Sequence, residues 1–159
     1  MYLLLKLLHV SAAMLFLGNI STGLFWHAHA ARTRDAKLLF HTMDGIIRSD
    51  TWFTNPSVLL LTVAGVLAAI QGHLPLLHTP WILGAIVLIS CSGLLFALRI
   101  IPLQKRLRDL ARAGMTSGDF DLAAYRRVAH RWDLWGAGSL VLSLGALALM
   151  VLKPVARID

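Results

Sequence analysis

Hydrophobic positions run along this chain in four long, nearly unbroken stretches. They cover about 3–28, 52–72, 79–101 and 133–153. At about 1.5 Å of rise per residue, a helix of that length crosses a hydrocarbon layer of about 30 Å. A backbone surrounded by lipid must satisfy its own hydrogen bonds, which a helix does within one segment. The pattern predicts an all-α membrane protein, a single-domain bundle of four transmembrane helices.

The segments between the spans carry patterns of their own. Leu39, Met43, Ile46 and Ile47 give the Lys37–Arg48 segment an apolar side. This predicts a short amphipathic helix lying on the headgroups. Thr54 or Asn55 followed by Pro56 reads as the cap and first turn of span two. After Pro102, the residues Leu103, Leu107 and Leu110 repeat on one helical face. Gly114 and Gly118 bracket a turn, and Asp119 and Asp121 suit a helix N-terminus. Spans three and four are therefore expected to continue beyond the membrane as a helical hairpin. Ala28-His29-Ala30 resembles a signal-peptide cleavage site, but the apolar stretch before it is too long and lacks a basic start, so span one is read as retained.

Charge adds an orientation. The 15 Lys and Arg residues outnumber eight acids, all Asp, for a formal charge of +7. Basic residues cluster at about 31–50 (Arg32, Arg34, Lys37, Arg48) and 102–131, while Gln71–Pro80 has none. The positive-inside rule makes both basic segments cytoplasmic and both termini extracytoplasmic, as expected in a bacterial-type inner membrane. It also accounts for the basic charge without a nucleic-acid partner. Trp26, Trp52, Trp132 and Trp135 near one boundary and Trp81 near the other read as an interfacial belt. The single Cys91 excludes an internal disulfide or a Cys-x-x-Cys motif and reads as a small packing residue. Small residues in span three (Ser90, Ser92, Gly93) and span four (Gly136, Gly138, Ser139, Ser143, Gly145) allow close helix contact or make room for a flat cofactor.

Chemistry centres on the histidines, of which there are seven. His9 lies inside span one, where an ionisable group is a functional candidate by default. His27, 18 positions on, shares its helical face, at a rise of about 27 Å that excludes a common haem. Ala13 and Phe16 lie near the same stripe, with Asn19 on its flank, and can wall a porphyrin. His73 and His78 fall in the loop on His9's side of the membrane. Either is a candidate sixth ligand. His9, His73, His78 and His27 form the candidate metal set. Imidazole suits haem iron, copper and zinc. The chain lacks Glu and so any His-Glu-x-x-His site, and lacks Met-x-x-Met pairs. Arg131 and Asp133 can pair locally, and Arg32, Arg34 and Arg48 can neutralise porphyrin carboxylates.

Lys6-Leu7-Leu8-His9, Phe16-Leu17-Gly18 and Pro80-Trp81 resemble the start of span one and the opening of span three in HemJ-type protoporphyrinogen oxidases. The whole chain, with Arg32-Thr33-Arg34-Asp35 and Asp50-Thr51-Trp52-Phe53-Thr54, more closely resembles a family of small four-span predicted integral membrane proteins of unknown function, related to HemJ-type and CopD-type proteins. The resemblance implies His9 as a haem ligand. It departs at Ile82–Ala85, where HemJ-type proteins carry a Lys, and near Phe25, where they carry an Arg.

Together these readings lead to an expected haem b protein with an electron-transfer or redox role toward a quinone or porphyrin, membrane oxidoreductase activity included. Its partners would be membrane lipids and a second copy or a membrane redox protein. Copper handling of the CopD sort, or a structural subunit without cofactor, are the alternatives.

Overall fold

The computed structural model describes residues 1–154. These form α1 (Tyr2–Ala31), α2 (Ala36–Ser49), α3 (Asn55–Gln71), α4 (Pro80–Leu95), α5 (Ile101–Ser117) and α6 (Leu122–Leu152), with no strand among them. Two π-helical turns, Asp50–Thr54 and Phe96–Ile100, splice α2 to α3 and α4 to α5. The chain thus makes four long apolar rods, Tyr2–Ala31, Ala36–Gln71, Pro80–Ser117 and Leu122–Leu152.

Each π turn stands just before a proline, Pro56 or Pro102. Proline lacks an N–H and its ring crowds the carbonyl four residues back. A wider turn relieves that crowding, so the Asn55 N–H donates to the Asp50 carbonyl and the Ile101 N–H to that of Phe96. Pro56 therefore marks a splice within a continuous rod. The expected cap of a separate span at Thr54 or Asn55 is not formed, and neither side chain makes a capping bond there.

The expected hairpin beyond the third and fourth spans is present. Gly118 closes α5 in the left-handed region at φ 71°, which a Cβ disfavours. Asp121 caps α6 by accepting from the Ala124 N–H. The expectation for Lys37–Arg48 needs correction. Helix α2 exists, capped by Asp35, but it does not lie on the headgroups. Its Leu39, Met43 and Ile46 are buried with Leu107 and Ala111 of α5 and Tyr125, Val128 and Trp132 of α6. These residues form an apolar core at the end of the bundle where the basic residues lie. The distribution comes from solvent. Helices that leave the bilayer need an apolar interior, whereas rods in lipid can turn Leu3, Leu7, Met14, Leu59, Leu98 and Val141 outward, as they do here.

Three belt and packing assignments also change. Trp132 is buried in that core, while Trp26 and Trp52 are exposed as a belt requires. Asp133 pairs with His27 rather than with Arg131. Cys91 is exposed rather than packed.

Candidate functional site

Within the membrane part, α1 packs on α3, and α4 packs on α6. The second pair is pinned by small residues. The Ser92 hydroxyl reaches Ser139 Oγ at 2.7 Å and Ser143 Oγ at 2.9 Å, while Leu88 lies against Gly145 and Leu149 against Gly84. The two pairs meet where Leu24 of α1 lies against Gly136 of α6. Toward the end where the chain starts they part, for α3 packs on neither α4 nor α6, and α1 does not pack on α4. The result is a mostly apolar cleft of about 590 Å³ walled by α1, α3, α4 and α6. Small-molecule sites occupy about 300–1,000 Å³ and are lined in the same way.

His9 lines this cleft. Its Nδ1 lies 2.7 Å from the Leu61 carbonyl oxygen. A carbonyl only accepts, so Nδ1 is the donor, and in the neutral ring the lone pair falls on Nε2. Nε2 has no hydrogen-bond partner among the described residues. Gly65, one turn beyond Leu61, makes the approach possible. A Cβ there would stand 2.7 Å from Nδ1 and 2.8 Å from Cε1. The imidazole thus rests on bare backbone of α3, held in one tautomer.

The other expected site residues divide. Ala13 and Phe16 line the cleft with His9. His73 and His78 do not; both are exposed in the loop, His73 with a positive φ of 53°. The expected sixth-ligand and metal-ligand positions His73 and His78 thus stand outside the cleft, whereas Met150 lines it. His27 is corrected as a metal candidate. It is fully buried, its Nδ1 is 3.1 Å from Asp133 and its Nε2 3.1 Å from the Tyr125 hydroxyl. Both nitrogens are engaged, leaving no lone pair for a metal. No group of three or more His, Cys, Asp or Glu side chains suited to a metal occurs among the described residues. Arg32 and Arg34 precede α2 and Arg48 lies in its last turn, and none of the three lines the cleft. The basic groups that line it are Lys6 and Lys153, the latter over the Trp81 ring at 5.6 Å.

Asn19 does not reach the cleft. It donates to Asp50 Oδ1 at 3.0 Å and to Thr54 Oγ1 at 2.8 Å. Asp50 also accepts from Thr54 Oγ1 at 2.7 Å and from Gln104 Nε2 at 2.7 Å. This second polar centre joins the first π turn to α1 and α5. The sequence carried its signal. Leu39, Met43, Ile46, Asp50, Thr54 and Ser57 recur at helical spacing and are all buried, so Asp50 sits on the inward stripe.

Four apolar rods around a lipid-level cleft define a multi-pass integral membrane protein. The chain belongs to the family described as predicted integral membrane protein (DUF2269), with residues 3–154 matched. No curated protein and no solved structure matches it.

Proposed function

We propose that this protein binds a b-type haem in the cleft, with His9 as an axial ligand, and serves electron transfer or redox chemistry on a quinone or porphyrin. The observation that carries this reading is the His9–Leu61 bond. A ligating histidine characteristically donates its other ring N–H to a carbonyl or carboxylate, which fixes the tautomer and raises ligand basicity. His9 has that arrangement, with Nε2 free beside a cleft of suitable volume. Ala13 and Phe16 offer surface for a flat macrocycle. Lys6 and Lys153 offer cations for its carboxylates. Met150, on the opposite helix pair, lines the same cleft and would offer a thioether to the iron beside the His9 imidazole, a ligand type that raises haem potentials. When bound, haem would supply one-electron chemistry, and the protein would set its potential by ligand and burial.

On this reading the basic end faces the cytoplasm and the cleft opens toward the other side of a bacterial-type inner membrane. The kinship with HemJ-type and CopD-type proteins belongs to the same proposal. Met150, which lines the same cleft as His9, favours a second reading, since thioether and imidazole together suit cuprous copper. Optical spectra of purified protein, oxidised and dithionite-reduced, separate the two. A Soret band with a sharpened α-band on reduction supports haem. Colourless protein with stoichiometric copper supports the second reading, and protein with neither refutes both.

A further inference from the structure

Asp50 is buried, yet it pairs with no Lys, Arg or His among the described residues. Neutral donors surround it instead: Asn19 Nδ2, Thr54 Oγ1 and Gln104 Nε2. Such a shell of donors solvates a carboxylate without a counter-charge. Beside it lies a small chamber of about 20 Å³, also lined by Trp132, Gly136 and Ser139. Trp132 is buried, and its Nε1 is the one buried side-chain polar atom without a partner among the described residues. The lining is mostly apolar, but it includes this orphaned N–H, Asp50 and Ser139, and the space suits one water, which needs about 10–15 Å³ and two to four polar partners.

The chamber connects to the cleft. Ser139, in the chamber wall, bonds Ser92 at 2.7 Å, and Ser92 bonds Ser143 at 2.9 Å. Ser143 lines the cleft. All three serines are buried. The Ser92 and Ser143 hydroxyls also reach the Ser139 carbonyl, at 3.0 and 2.9 Å. A hydroxyl both donates and accepts, so when each turns from that carbonyl to its neighbour the row Ser143–Ser92–Ser139 can pass a proton.

We propose that Asp50 is an intramembrane proton acceptor, linked to the cleft through Ser143, Ser92, Ser139 and a water in the chamber. A proton entering at Ser143 displaces one onward at each step, the last reaching a carboxylate oxygen of Asp50. One proton moves, no electron does, and the hydroxyls then rotate back. The route rests on Asp50, Trp132 and the serines, and holds whether or not the cleft binds haem. The chamber wall carries no second titratable group. Other charged groups on the surrounding elements are engaged or outward. Asp44 pairs with Arg48, His27 with Asp133 and Arg108 with Asp109; Arg99 lies over Trp135; the remaining basic side chains of α5 and α6 are exposed.

The test is infrared pH-difference spectroscopy on protein in lipid nanodiscs with ¹³C-labelled aspartate, read at equilibrium and after a rapid pH jump. A protonated-carboxyl band is expected on acidification, absent in D50N. D50E, which keeps an acid and moves the band, assigns it where D50N does not fold. S92A should leave the band's amplitude intact and slow its appearance on the order of tenfold, the rate equivalent of one hydrogen bond. S92T, which keeps a hydroxyl, should stay near the wild-type rate. The proposal is overturned if no Asp50 band appears at any pH where the fold persists, if S92A matches the wild type, or if S92T is as slow as S92A.

Discussion

Gly65→Ala tests the cleft without touching a proposed ligand. The added methyl would stand 2.7 Å from His9 Nδ1 and 2.8 Å from Cε1, well inside van der Waals contact. The neighbour in the way is a ring with two torsions on a helix packed against α3, so the imidazole must rotate off the α3 backbone. Rotation breaks the 2.7 Å bond to the Leu61 carbonyl and frees the tautomer. As an interhelical hydrogen bond in lipid, that loss is worth about 0.6 kcal/mol and at most about 1.7. As the hydrogen-bond partner that orients a metal ligand, it is worth about 10–100-fold in affinity, or about 1.4–2.8 kcal/mol. The two roles thus separate by measurement. The folded fraction should change little, while haem loss to an apomyoglobin sink should accelerate by at least about tenfold. Gly18→Ala and Gly93→Ala are the controls, because a Cβ at either meets nothing within 4 Å. If Gly65→Ala retains haem as the wild type does, with an unchanged spectrum, the Leu61 carbonyl does not orient His9 as a ligand.

The same geometry sets four more expectations. His9→Ala should abolish or greatly lower haem content in membrane-inserted protein, whereas a purely packing role predicts a cost on the order of 1 kcal/mol and an unchanged spectrum. His27→Ala should leave the spectrum intact and lower thermal stability by about 1–3 kcal/mol, because the Tyr125 hydroxyl and Asp133 lose their shared partner; loss of haem in this variant would move the site to the basic end. The double substitution His73→Ala, His78→Ala should not alter the spectrum, since neither side chain lines the cleft; a five-coordinate, high-spin product would restore the loop as ligand. A reporter fused after Lys153 and one inserted at Gly118 should be active on opposite sides of the membrane, and the same side for both would contradict the four-rod fold.

Much of the fold was readable because lipid imposes a simple rule, that apolar length means span. The continuity of the second rod escaped it. Pro56 looks like a helix start, and in isolation it is one. Here α2 arrives already helical, and a π turn absorbs the proline within the rod. The fate of the Lys37–Arg48 segment was equally hidden. A stripe of Leu39, Met43 and Ile46 suits a headgroup surface or a protein core alike, and only the position of α5 and α6 decides between them. His9 was legible as a lone imidazole in a span. Its partner was not, because a backbone carbonyl has no sequence signature and Gly65 reads as any small residue in a membrane helix.

The two π turns each insert a residue into a rod, and the inward stripe of α2 runs on through the first of them as Asp50, Thr54 and Ser57. Asp50 occupies the first of these turns and bonds Gln104, which lies one turn past the second. The second and third rods are thus bonded to each other at one carboxylate, and Asn19 ties α1 into the same point. Toward the basic end, packing is water-type, with a dense core and the His27–Tyr125–Asp133 set. Toward the chain's start the helix pairs part, held to each other by nothing as polar as Asp50. A cleft at lipid level needs such a hinge line, because the α1/α3 and α4/α6 pairs must be joined firmly at one end to stand apart at the other. On this argument Asp50 has a structural duty as well as any proton it accepts, and the two are separable. Asp50→Asn keeps a carbonyl acceptor for Asn19, Thr54 or Gln104 and should preserve the cleft while removing the titration. Asp50→Leu should loosen both, seen as faster hydrogen exchange in α3 and α4; equal protection in the two variants would deny the carboxylate its part in holding the rods together.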